Sequence, residues 1–244
     1  AVGGRSMTPY YSDDWVTIYH GDCREVLPQL SGDALVTDPP FGIDWSRATW
    51  SDKAEDYPDL MRWLVNQAQR AVPVGWCFVF QAMPNVARFH EWFPEGWRIF
   101  ASCKKWAQIR PNGVWHAWDP VVFWRNGPNR GPNSGPHSGH INRAYFLGSF
   151  ARDFDKRPDH PCPRSLDVMR HIVQLSAPVG GMVIDPFAGI CTTLRAAKDT
   201  GRKSIGIESN ERYCELGAEL LRQEVLCFRP AMARTDDAGD APLF

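Results

Sequence analysis

The feature that most constrains this chain is the way short apolar runs and amphipathic runs take turns. Met182–Ile184 is apolar and strand-like, 192–199 has helical periodicity, 203–207 is again strand-like, and a helical pattern follows from Asn210 to about Val225. A strand that leads through a helix into the next strand closes only as a parallel sheet covered by helices. The rest of the chain fits the same scheme. Val16–Tyr19 alternates like a strand, Cys23–Leu30 reads as a short helix, and Ala34–Thr37 is a brief apolar strand. Asp59–Ala71 carries Leu60, Trp63, Leu64, Ala68 and Ala71 at helical spacing, and 74–80, 98–103 and 120–124 read as further strands. Ser165 is placed to cap a helix carrying Leu166, Met169, Ile172, Val173 and Leu175.

Between residues 126 and 163 turn formers dominate and periodicity vanishes. A stretch of that length inside a compact domain is too long for a plain connector, so it is expected to carry function or to lack order. Residues 231–244, acidic and Ala-rich, read as a frayed tail. Residues 1–6, small and polar ahead of Met7, read as a cloning remnant and not as a signal peptide.

Two constellations close predicted strands, at the end where open α/β sheets bind ligands. The first is Asp185-Pro186-Phe187-Ala188-Gly189, with Thr192-Thr193 opening a helix. Gly189 lets the backbone approach a ligand closely, and the helix start offers free N–H groups to an anionic group. Glu208 follows about 20 residues later, at the end of the next strand. There a carboxylate can accept hydrogen bonds from ribose hydroxyls, so the pattern points to a nucleoside-containing cofactor, with an ordinary turn and a solvated glutamate as the alternative.

The second constellation is Thr37-Asp38-Pro39-Pro40-Phe41-Gly42. Two prolines end any strand ladder and stiffen the turn. Asp38 and the Pro39 carbonyl can both accept hydrogen bonds from one amino group, and Phe41 offers a face for a flat base. Taken alone, the turn is equally consistent with a structural role.

The net charge of -1 conceals an uneven distribution. From Lys104 to Arg164 ten Lys/Arg face four Asp, a local net of +6 in an otherwise acidic chain. A solvated surface accounts for that as well as a polyanion contact does. The seven cysteines are dispersed and never spaced C-x-x-C, which argues for reduced thiols over disulfides or structural zinc. His137 and His140 lie in a Gly/Pro/Asn/Ser loop without nearby cysteines, so no metal is expected. No apolar run reaches the roughly 18 residues of a membrane span.

With both constellations in this order, the chain resembles the DNA methyltransferases that modify exocyclic amino groups, in the subgroup whose catalytic tetrapeptide precedes the cofactor motif. The likeness runs from Val16 to about Val225. It includes Gly21-Asp22-Cys23, Asp38-Pro39-Pro40-Phe41, 160–165 leading into a helix, 185–193, Glu208 and Asn210–Tyr213. The resemblance implies a Rossmann-like, mostly parallel α/β fold with helices on both faces, formed by 7–104 and 160–228. It places a small irregular target-recognition insertion at 105–159 and leaves 229–244 as the tail.

The resemblance also implies S-adenosylmethionine as cofactor and double-stranded DNA as partner, in a bacterial or phage-infected cytoplasm. A second copy of the chain and a cognate restriction nuclease are further partners that it allows. Asp38, Pro39, Pro40 and Phe41 would then be catalytic. Asp185, Phe187, Ala188 and Gly189 would line the methionine end, Thr192 and Thr193 its carboxylate, Glu208 the ribose, and Asp22 and Cys23 the adenine. Pro161, Cys162 and Arg164 would form the pocket's outer side.

Arg110, Arg125, Arg130, Arg143, Arg152, Lys156 and Arg157 are the candidate DNA contacts, while Trp106, Trp115, Trp118 and Trp124 are read as core ahead of base-stacking groups. Ile190-Cys191 and Arg164-Ser165 depart from the family's usual Ser-Gly and Lys-Pro. The expected reaction is methylation of adenine N6. Cytosine N4, an RNA amine and a catalytically dead nucleic-acid-binding module are the alternatives.

Overall fold

A computed structural model describes residues 7–44, 52–109, 115–128, 145–149 and 164–223. The chain opens with β1 (Tyr11–Ser12) and β2 (Val16–His20), then α1 (Cys23–Val26), β3 (Ala34–Thr37), α2 (Tyr57–Ala71) and β4 (Gly75–Phe80). After α3 (Phe89–Trp92) come β5 (Arg98–Ile109), β6 (Trp115–Asn126) and β7 (Tyr145–Ser149). The remainder is α4 (Leu166–Ser176), β8 (Met182–Asp185), α5 (Thr192–Asp199), β9 (Lys203–Glu208) and α6 (Glu211–Arg222). Among the described residues nine strands form one sheet in the order β1-β2-β9-β8-β3-β4-β6-β5-β7. From β2 to β4 all neighbours are parallel, whereas β6 runs antiparallel to both β4 and β5. The expected mostly parallel α/β sheet is therefore what the chain forms.

Both faces of the sheet are covered, as the continuous apolar character of its strands requires. Leu35, Cys77 and Val79 face α2, where Met61, Leu64, Val65 and Ala68 form the buried stripe. Ala34, Val36, Phe78 and Phe80 face the other way, against Val168, Met169, Ile172 and Val173 of α4. Each fully buried side chain of that size contributes about 1.5–3 kcal/mol. Trp124 is buried and its indole N–H donates to Asn126 Oδ1. Asn126 in turn donates to the carbonyls of Ala68 and Val72, closing the C-terminus of α2. No described helix is long and apolar enough to cross a membrane.

The expected helix over 23–30 is interrupted. α1 gives way to a 3-10 turn at Leu27–Gln29, because Pro28 has no N–H to continue an α-helical ladder. β5 and β6 are each 12 residues, longer than their apolar cores suggested, and a register shift between Cys103 and Gln108 lies in their shared ladder. Tyr145–Ser149 is strand, in a stretch where none was expected; it pairs in parallel with β5, a tertiary pairing that the flanking turn formers hide. Ser165 stands at the N-cap of α4 but makes no side-chain cap hydrogen bond.

The strand order reverses between β8 and β3, which are parallel neighbours. From β8 the chain steps through α5 to β9 on one side, and from β3 through α2 to β4 on the other. The carboxyl ends of β8 and β3 thus border a crevice that no crossover covers, the place where open α/β sheets take ligands.

Candidate functional site

Both constellations open onto this crevice, and a direct bond joins them. Thr37, fully buried at the end of β3, donates from Oγ1 to Asp185 Oδ1 at 2.7 Å, although 148 residues separate the two. The same oxygen accepts the Phe187 N–H at 3.1 Å. Asp185 is only 2% exposed. Burial pushes its carboxyl up to about 6, against bonds from Thr193, Thr37 and Phe187 that favour the carboxylate, and the nearby charge of Asp38 adds to the rise.

Beyond Asp185 the chain makes two left-handed steps, at Gly189 (φ 51°) and Cys191 (φ 65°), before α5 begins. Cys191 is a non-glycine residue in a region that L-residues rarely occupy. It is accommodated by α6: a Cβ on Gly217 would lie 2.4 Å from the Cys191 Sγ. The Gly189 N–H donates to Glu208 Oε2 at 2.8 Å, and the Asn210 N–H donates to Oε1 at 2.7 Å. Burial raises the Glu208 carboxyl as well, opposed by those amides. Gly21 donates to the Glu208 carbonyl. Asp22 then caps α1, accepting the Arg24 N–H at 2.8 Å. The Cys23 thiol is pushed up to about 12, first by burial and then by the Asp22 charge, so it is held as a thiol.

The Asp38–Gly42 turn is fastened from outside. Asp52 Oδ1 accepts the Phe41 and Gly42 N–H groups at 2.7 Å each, and Oδ2 accepts that of Ile43 at 3.3 Å. Asn85 donates to the Phe41 carbonyl at 2.8 Å. Gly42 is left-handed (φ 61°) and lies against Tyr57, where a Cβ would approach the Tyr57 Cβ to 2.3 Å. The Tyr57 hydroxyl donates to Gln81 Oε1 at 2.6 Å. Pro39 is buried, while Asp38, Pro40 and Phe41 are half-buried toward the crevice.

Arg164, expected on the outer wall of a cofactor pocket, is placed on Asp38. Its Nε donates to Oδ2 at 2.7 Å and its Nη2 to Oδ1 at 2.8 Å, while Nη1 donates to Asp119 Oδ2 at 2.8 Å. The guanidinium carbon lies 4.6 Å from the ring centre of Phe80 and 5.4 Å from that of Phe41.

Asp38, Phe41, Asp185, Phe187, Gly189, Thr193 and Glu208 are thus brought to one end of the sheet. Arg125 is not: it pairs with Trp76 at the opposite end of β4 and donates to the Pro128 carbonyl at 2.6 Å. Arg110, Arg130, Arg143, Arg152, Lys156, Arg157, Pro161 and Cys162 lie outside the described residues. Sequence reasoning missed Asp52, Asn85 and Asp119 as parts of the site. Thr37 was read as the start of the second constellation, but its bond to Asp185 was not foreseen.

The chain is similar to known proteins over most of its length. The family model described as DNA methylase, for the N6 and N4 enzymes, matches residues 33–219. The type II methyltransferase M.ScaI of Streptomyces caespitosus is 24% identical over 257 residues, covering 88% of this chain and 84% of its own. The DNA adenine methyltransferase YhdJ of Escherichia coli is 39% identical over 67 residues, 28% of this chain and 23% of its own. The solved complex of M1.HpyAVI with SAM superposes with a TM-score of 0.64 at 22% identity, over 85% of this chain and all of the other.

Proposed function

Because the chain belongs to the N6/N4 DNA methylase family, we propose that it transfers the methyl group of S-adenosylmethionine to the N6 amine of adenine in double-stranded DNA. The observation that carries this reading is the 2.7 Å bond from Thr37 to Asp185, which sets the Asp38 turn beside the Asp185–Gly189 loop at the switch point. A base held by the first and a methyl donor held by the second lie within one crevice.

The residues present suit that cofactor. Asp185 is a buried and Glu208 a half-buried carboxyl group, both with raised pKa, and among the described residues neither has a cationic side-chain partner. A ligand carrying sulfonium and ammonium charges supplies what such a pocket lacks. Asp185, Phe187, Ala188 and Gly189 would flank its methionine end, Thr192 and Thr193 its carboxylate, Glu208 its ribose, and Asp22 and Cys23 its adenine. The Gly189 and Asn210 N–H groups hold the Glu208 carboxyl at the end of β9, where it would accept from the ribose hydroxyls. Bound there, the cofactor supplies a methyl group on a cationic sulfur, already activated for displacement.

The chain's own residues act on the amine. Its nitrogen lone pair is conjugated with the ring and weakly nucleophilic. Hydrogen bonds from the amine to Asp38 and to the Pro39 carbonyl favour a pyramidal nitrogen with that lone pair directed along the methyl–sulfur axis. With the cofactor bound, transfer of its methyl to that nitrogen would leave the sulfur's bonding pair on a neutral thioether, so Asp38 and the Pro39 carbonyl have only to hold and aim the amine. The cationic nitrogen then loses its proton to Asp38 or water. The base must leave the duplex to reach Asp38, at about a few kcal/mol, offset by stacking on Phe41. Recognition of the site falls to the basic stretch 105–159.

Cytosine N4 offers the same chemistry, and the family includes enzymes of both kinds. An aspartate at position 38, where N4 members of the family more often carry serine, supports adenine, as does the stretch of likeness to an adenine methyltransferase. Nucleoside mass spectrometry of duplex DNA incubated with protein and cofactor tests it. N6-methyldeoxyadenosine is expected; N4-methyldeoxycytidine would reassign the target, and unmodified DNA would refute the reaction.

A further inference from the structure

The oxygens that must grip the substrate amine are already engaged. Arg164 meets both oxygens of Asp38 through two parallel N–H bonds, at 2.7 and 2.8 Å, in the bidentate geometry that makes such pairs strong. Its flat guanidinium lies 4.6 Å from the Phe80 ring centre and 5.4 Å from that of Phe41. A planar, hydrogen-bond-donating group against Phe41 with its N–H edge on Asp38 is what the reaction needs the flipped base to become. The third N–H bond of the guanidinium goes elsewhere, to Asp119 at 2.8 Å.

Asp119 belongs to β6, which enters the sheet antiparallel beside the exit of β4. Gln81 just beyond β4 donates to the carbonyl of Pro120. A second carboxylate is thereby fixed at the same sheet edge, on the far side of Arg164 from Asp38. The three side chains are only 15–26% exposed, so a cation released from one carboxylate meets the other before it meets bulk water.

We propose that Arg164 occupies the seat of the target base in the DNA-free protein and yields it by transferring from Asp38 to Asp119 when the base enters. This rests on Asp38 being the amine's acceptor. Until a base arrives, Arg164 keeps the carboxylate aimed and keeps Phe41 covered. When the amine takes over the Asp38 oxygens, Asp119 retains the displaced cation, so no buried charge is left unpaired. Arg164 is then a positioning residue, and Asp119 sets how readily it moves.

Two readouts keep this separable from the reaction itself. In the DNA-free protein the Nε–H resonance of Arg164, identified by its disappearance in Arg164→Gln, is expected to be protected from solvent exchange. It should lose that protection in Asp38→Asn. Free exchange with Asp38 intact overturns the seat, whatever the protein does to DNA. In methyl transfer from S-adenosylmethionine to mixed-sequence plasmid DNA, Asp119→Asn is expected to lower kcat/KM for DNA about tenfold, the scale of one charge-assisted hydrogen bond. Cofactor affinity should be unchanged.

The same Asp119→Asn change made in the Arg164→Gln background should cost nothing further, because the cation it serves is gone. An equal loss in both backgrounds would make Asp119 structural and overturn the transfer. If the wild-type protein methylates no DNA, the reaction and the release step fall together, while the resonance still decides the seat.

Discussion

Glu208 and Asp38 are carboxylates at the same edge of one sheet, yet they are held in opposite ways. Both oxygens of Glu208 end on backbone N–H groups, those of Gly189 and Asn210, within loops that its own strand and the preceding one supply. Both oxygens of Asp38 end on one side chain that comes from 126 residues away. Backbone donors cannot leave without unfolding their loop, whereas a guanidinium can rotate away. The difference teaches that one half of the crevice is built to be fixed and the other to exchange partners.

Substitutions can break this contrast, and the largest effect belongs to the exchanging half. Asp38→Ala is expected to lower methyl transfer about a thousandfold or more while cofactor affinity by calorimetry stays near wild type. Retained turnover would end the assignment. Next comes the fastening of the turn. Asp52→Ala strips the acceptor from three N–H groups. Because misplacing a reactive group by about 1 Å costs about a hundredfold, turnover should fall on that scale with little change in cofactor affinity.

Glu208→Ala should do the reverse. It is expected to weaken cofactor binding about 10- to 100-fold, through lost contacts and a loosened Gly189 loop, and to spare turnover at saturating cofactor. An unchanged dissociation constant would remove the proposed ribose role.

Acidity sharpens the same contrast. The folded protein holds the Asp185 proton more tightly than the unfolded chain does, since burial raises the carboxyl from 3.8 to about 6. The free protein therefore has this group's full contribution to stability below about pH 4 and loses it as the pH rises to about 6. A cationic cofactor needs the carboxylate, so its affinity should drop about tenfold per pH unit below about 6. Melting temperatures with and without cofactor across pH 4–8 would show the two curves diverging upward through that window, and Asp185→Asn should flatten the divergence. The smallest effect is expected at Gly217→Ala, which drives a methyl toward Cys191 Sγ. Overpacking of this kind costs about 1–3 kcal/mol, visible in denaturant unfolding.

Much of this arrangement is legible in the residues. The strand Ala34–Thr37 and the helix 192–199 have the bounds expected of them, and the prolines after Asp38 and Asp185 mark where β3 and β8 stop. What was hidden depends on which strands become neighbours. Asp119 reaches the site only because β6 docks antiparallel on β4, and Arg164 meets Asp38 only because α4 begins beside β3. Asp52 sits in a polar stretch with Glu55 and Asp56, and nothing local distinguishes the one that folds back onto three amides. Cys191 was recognisable as an oddity in a glycine's usual place. Its compensation lies in Gly217 on another helix, which no local pattern reveals.

The bond between Thr37 and Asp185 also sets a timetable for synthesis. The two residues leave the ribosome 148 positions apart. At about 5–20 residues per second, the strand ending in the catalytic turn waits about 7–30 s for the strand that closes its other edge. During that interval β3 can pair with β4 alone. A nascent chain halted before β8 would expose an apolar border at the centre of the future sheet, so co-translational handling of this protein has to shield its middle until β8 emerges.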